Sequence, residues 1–149
     1  AVGGLIWWYW RRRRVRADLA PPIPAHELAF AALSRLRRTD FDDPEAVRRF
    51  YFQLSEVVRT NVEGRFGLNA TDLTTEEILA ALGFVDELSS AQIQALHRFL
   101  LDTDQVKFAH REPTSGEIEG VYEQALGFVE ETRPIESEEG GDIEEEAAA

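Results

Sequence analysis

The chain has 149 residues, 44% of them hydrophobic and 30% charged, with a formal net charge of −12. That is the balance of a soluble globular protein long enough for one domain with a sizeable core plus appendages. With no cysteine, a disulfide scaffold, a thiol nucleophile and cysteine-ligated zinc are excluded; with no methionine and an Ala-Val-Gly-Gly start, the chain reads as a piece of a longer protein.

The charge is uneven. Five arginines (Arg11, Arg12, Arg13, Arg14, Arg16) face a single acid, Asp18, in the first twenty residues, whereas the tail after Ile135 has seven acids and no base. An acidic body and an acidic tail argue against general affinity for nucleic acid, whose phosphates repel them.

The opening AVGGLIWWYW is too short to span a bilayer, which needs ~20 apolar residues. It reads as the C-terminal end of a transmembrane helix over residues 1–10. Trp7, Trp8, Tyr9 and Trp10 would then stand at the headgroup level, and Arg11, Arg12, Arg13 and Arg14 would face the cytoplasm. A signal peptide has the opposite order, with positive charge before the apolar run. Residues 11–22 form a basic juxtamembrane linker that runs into the stiff PPIP spacer. The expected location is therefore the bacterial inner membrane, with a single span and the domain on the cytoplasmic side.

A helical domain is expected over residues 23–134. Pro24 opens a short helix with Leu28, Ala29, Ala32, Leu33 and Leu36 on one face. After the TDFDD loop, Asp43 is a fitting cap and Pro44 a fitting first residue for the longest apolar-striped segment, Pro44–Phe66, with Gly67 as its stop. Val47, Phe50, Tyr51, Leu54, Val57 or Val58, and Val62 share one side of this helix, about 34 Å long at 1.5 Å per residue. It reads as the central helix. Leu68–Leu73 reads as a short, partly extended connection.

Three capping-box patterns follow: Thr74 with Glu77, Ser89 with Gln92, and Thr114 with Glu117. Each precedes an apolar periodic run. The first run is Ile78, Leu79 and Leu82; the second is Ile93, Leu96, Phe99, Leu100, Thr103 and Val106. The third is Ile118, Val121, Tyr122, Ala125, Leu126 and Val129, and Pro134 stops it. The fold class is all-α, a compact bundle of about five helices around one long central helix. Residues 135–149 read as a disordered acidic tail.

Catalytic signals are weak. Asp102, Asp104 and His110 are the one carboxylate–imidazole cluster close in sequence, but the two acids lie two apart on a helix and point in different directions. They lack the glycine and the spacing of a calcium loop. Neither His26 nor His97 has a serine or cysteine at motif spacing, and Ser55 lacks nucleophile-elbow glycines. No catalytic residue, cofactor or metal ligand is assigned. A regulatory helix–loop–helix using Arg48, Arg49 and Arg59 on nucleic acid is the alternative reading, weakened by the absence of any base in TTEEILAAL. Candidate partner-binding residues are Arg59, Arg65, Val106, Lys107 and Phe108. Val106 and Phe108 mark the contact only if exposed, and the two arginines read more readily as pairing with the domain's own acids, such as Asp72 or Glu76.

FYFQLSEVVRTNVEGRFGLNATDLTTEEILAAL, LHRFLLDTDQVKFA and a last helix ending FVEETRP resemble the cytoplasmic C-terminal domain of BatD-like, aerotolerance-operon membrane proteins. The matching positions are Phe50–Tyr51, Arg59, Gly64–Gly67, Thr74–Glu77 and Asp104–Ala109, and Asn61 stands where such proteins carry an aromatic residue. The resemblance implies one membrane span after an exported portion, and protein partners of the MoxR-type AAA+ ATPase and von Willebrand factor A classes. It implies a non-enzymatic docking or scaffold role in an envelope or stress-tolerance system, with no nucleic acid and no small-molecule substrate.

Overall fold

The computed structural model describes residues 23–135, and all regular structure among them is helical. The helices are α1 (Ala25–Leu36), α2 (Pro44–Phe66), α3 (Thr75–Leu82), α4 (Ser90–Phe108) and α5 (Ser115–Thr132), with a one-turn 3-10 helix at Ala70–Asp72. The expected membrane end with Trp7, Trp8, Tyr9, Trp10 and Arg11–Arg14, the linker before Ile23, and the acidic tail from Glu136 lie outside the described residues. No helix among the described residues is long and apolar enough to cross a membrane.

The helix ends follow from their residues. Asp43 accepts the Glu45 amide at 3.0 Å, Pro44 fills the first position of α2, and Gly67 closes it at φ 73°, a conformation cheap only for glycine. Of the three capping boxes, Ser89–Gln92 is reciprocal. At Thr74 and Thr114 the hydroxyl accepts the Glu77 or Glu117 amide, but the glutamate carboxylate turns to the threonine hydroxyl instead of the cap amide. Arg111 draws Glu117 the rest of the way into an ion pair.

The core is organised on α2, which packs against α1, α4, α5 and the 3-10 turn. Val47, Phe50, Tyr51, Leu54, Val58 and Val62 are buried, each worth about 1.5–3 kcal/mol of apolar burial for the larger side chains. Facing them are Leu33 and Leu36 from α1, Ile78 and Leu82 from α3, Leu96, Phe99, Leu100 and Val106 from α4, and Val121, Tyr122 and Phe128 from α5. Tyr122 also donates to the Leu33 carbonyl at 3.1 Å, tying α5 to α1.

Two local readings change. The inward seam of α1 is Ala29, Leu33 and Leu36, while Leu28 is 51% exposed. Leu28 lies 100° back from Ala29, beyond the arc that α2 and α5 cover. Leu68–Leu73 is extended at Leu73 (φ −102°, ψ 149°), but Ala70–Asp72 winds into a 3-10 turn that buries Ala70 against α2. At the far end of α2 a β-carbon on Gly64 would lie 2.8 Å from the Ala25 side chain, so only glycine lets the start of α1 approach this closely.

Candidate functional site

Three consecutive aromatics on α2, Phe50, Tyr51 and Phe52, are each rotated about 100° from the last. The buried stripe takes Phe50 and Tyr51 and leaves Phe52 at its edge, 39% exposed. The same rotation divides the end of α4. Val106 is 3% exposed and part of the core, Lys107 lies along the α2 seam, and Phe108 stands 67% exposed at the last helical position.

Phe52 and Phe108 meet edge to face across the α2–α4 seam, with centroids 6.1 Å apart at 85°. The Lys107 ammonium lies 5.1 Å from the Phe52 centroid and 5.0 Å from the Phe108 centroid. The Arg48 guanidinium lies 5.7 Å from the Phe52 ring and donates to the Lys107 carbonyl at 3.3 Å. That carbonyl belongs to the last turn of α4, where no helical donor remains for it. Contacts of this kind contribute about 0.5–1 kcal/mol each near a surface. Together they fix two aromatic rings and two cations in one ridge. Beside it runs a groove of about 460 Å³, whose lining includes Phe41, Arg48, His110, Arg111 and Ile118.

A buried polar chain lies behind the ridge. Lys107 donates to the Ser55 hydroxyl at 3.4 Å, and Arg59 donates to the same oxygen at 3.4 Å. Arg59 also donates to the carbonyls of Ala70 at 3.3 Å and Leu73 at 2.6 Å, and to the Thr75 hydroxyl at 3.4 Å. Thr75 in turn donates to Asp104 Oδ2 at 3.0 Å, while Asp104 Oδ1 is enclosed without a partner. Burial lowers the Lys107 pKa from its ordinary value, and repulsion from Arg59 adds to this; Asp104 and Glu56 pull the other way.

A serine hydroxyl beside a lysine with a lowered pKa has the outline of a Ser–Lys nucleophile pair. Ser55 is fully buried, however, and does not line the groove beside the ridge. The cluster instead ties α2, α4 and the α3 onset together.

The residues singled out from sequence therefore fall into different places. Arg59 is turned inward onto backbone carbonyls and Thr75, which pins the loop after Gly67 but without using Asp72 or Glu76. Arg65 donates to the Thr132 carbonyl at 2.8 Å and pairs with Glu87 at 2.7 Å, holding the end of α5. Val106 is core. Lys107 and Phe108 join the ridge, and with them come Phe52 and Arg48. With Arg59 committed inside, Arg48, Arg49 and Arg59 do not form one cationic face for nucleic acid. Asp102, Asp104 and His110 do not converge either: among the described residues no group of three or more histidine or carboxylate side chains is placed to hold a metal ion. Phe52 was findable, since three adjacent aromatics on one helix cannot all face inward.

Compared with known proteins, the chain matches no family model, no curated protein and no solved structure.

Proposed function

We propose that the protein is a non-enzymatic docking domain, tethered to the inner face of a bacterial inner membrane through its N-terminal end. Its contact face is the Phe52–Phe108 ridge. The observation that carries this is Phe108, two-thirds exposed at a helix end yet held edge-on to Phe52 with the Lys107 ammonium against its ring. A free aromatic ring kept in water and already fixed in place loses little freedom on binding, the property of an interface anchor. Arg48 and Lys107 at its base favour a protein partner offering an apolar pocket rimmed by acids.

The tether rests on the aromatic and arginine order of residues 7–14. The partner classes, MoxR-type AAA+ ATPases and von Willebrand factor A proteins, rest on the sequence resemblance to BatD-like proteins. The test is a photoreactive phenylalanine analogue at position 108 of the full-length protein in its native membranes. A discrete protein adduct from position 108, absent with the analogue at exposed Gln124 on α5, is expected. Equal labelling from both positions, or none from position 108, overturns the docking reading.

A further inference from the structure

The opposite flank of α2 has a feature that the ridge does not use. Between α1 and α2 runs a groove of about 570 Å³, lined by Ile23, Leu28, Ala32 and Val57 together with Glu56 and Glu63. Its apolar residues are unusually bare: Leu28 is half exposed and Ile23 more so. Its charged lining is acidic, with no base. Asn61, 3% exposed, also lines it, and the Asn61 Oδ1 has no hydrogen-bond partner among the described residues. An enclosed amide oxygen left unpaired costs about 1–3 kcal/mol, so an occupant that supplies a donor and lifts that cost is favoured.

We infer that this groove is the docking site for the chain's own basic segment, residues 11–20. Position is the first argument. Ile23 lines the groove, so the preceding chain starts at its mouth. Pro21, Pro22 and Ile23, extended at about 3.1 Å per residue, span about 9 Å, which matches the 8–10 Å between packed helix axes. Leu19 is four residues from Ile23, about 13 Å of extended chain, and α1 advances about 10 Å from Ala25 to Ala32. That length is enough for Leu19 to reach the bare stretch between Leu28 and Ala32, and a docked segment would carry Arg14 and Arg16 on toward Glu56.

Charge is the second argument. The segment has five arginines against one acid, the densest positive run in a chain of net charge −12, and the charged residues lining the groove are Glu56, which also borders the neighbouring groove of Arg35 and Arg38, and Glu63, whose Oε1 already accepts from the Thr71 amide and hydroxyl. Guanidinium–carboxylate pairing is directional and often bidentate. Docking here would hold the domain at a set distance and orientation from whatever the N-terminal end is fixed to.

The absence of cysteine gives a clean background for the test. Leu19→Cys is paired with Leu28→Cys in the full chain in nanodiscs containing anionic lipid, and a short bis-maleimide is added. Leu28 is exposed, so the pair leaves the core untouched, and circular dichroism checks the helix content. Intramolecular linkage is expected to run roughly tenfold or more faster than for Leu19→Cys with Gln124→Cys on α5, as a held contact raises effective concentration. Glu56→Arg, which leaves the Glu63–Thr71 contacts in place, is expected to slow it toward the control rate. Equal rates for the two pairs overturn the inference. So does linkage only between copies, which makes the groove a self-association face, or protection of Leu19→Cys by anionic lipid with no linkage, which gives the segment to the membrane.

Discussion

The two flanks of α2 differ in how they treat polar groups. Toward α4, Ser55 and Arg59 are joined to Thr75, Asp104 and Lys107, and the cluster ends in two aromatic rings at the surface. Toward α1, Asn61 is equally enclosed, yet its oxygen meets nothing, in a groove that leaves Ile23 and Leu28 bare. The α4 flank is the more nearly completed of the two, with Asp104 Oδ1 its one enclosed atom without a partner among the described residues, while the α1 flank leaves Asn61 Oδ1 unpaired beside a groove. The first is the proposed docking platform and the second the proposed receptor.

The sharpest way to break the comparison is on the completed side. Arg59→Ala removes the donor to two carbonyls and to the Ser55 and Thr75 hydroxyls. Stability is expected to fall by about 3 kcal/mol, the cost of leaving several enclosed groups unpaired, read from the urea midpoint. A loss under half of that would mean water already serves these groups.

On the other flank the sign reverses. Asn61→Leu replaces an amide of similar size whose oxygen is unpaired, and is expected to be neutral or to stabilise by about 1 kcal/mol. A clear destabilisation would show that Asn61 has a partner in the chain after all.

The smallest effect is a pH dependence. Folding lowers the Lys107 pKa, so between that lowered value and its ordinary 10.5 the unfolded chain binds more protons and stability rises with pH. Tyr51 goes the other way. Burial, chiefly, with Glu117 nearby, raises its pKa from 10.0 to about 12, so the folded chain keeps a proton that the unfolded chain loses, and stability falls with pH from 10.0 upward. An alkaline urea series should show a shallow rise and then a fall. Tyr51→Phe should abolish the fall and Lys107→Met the rise.

Much of this architecture could be read from the sequence, because it is local. Asp43–Pro44, Thr74, Ser89 and Thr114 mark helix starts through contacts two or three residues away, and the stripe from Val47 to Val62 repeats every three to four residues. The features that matter for the site depend on distant groups. Periodicity places Arg59 near the core but cannot say that its acceptors are carbonyls in a 3-10 turn eleven and fourteen residues on. It marks Leu28 as apolar, yet its exposure depends on where α2 and α5 stop covering α1. Spacing puts Val106 on the apolar face of its helix, but that Phe108 meets Phe52 depends on the side from which α2 approaches α4.

The central claim is that the ridge binds a partner while the interior supports the ridge. The most direct measurement takes the Phe52→Ser/Phe108→Ser double variant of the full-length protein in native membranes and follows two quantities in one preparation. These are retention of the protein captured at position 108 and the thermal unfolding midpoint. Retention is predicted to drop at least about tenfold, as expected for losing an aromatic anchor, while the midpoint falls by no more than the loss of the ridge's own contacts, about 2–4 kcal/mol, and the protein stays folded at the assay temperature. Undiminished retention, or a drop no larger than the loss of folded protein, would contradict the account.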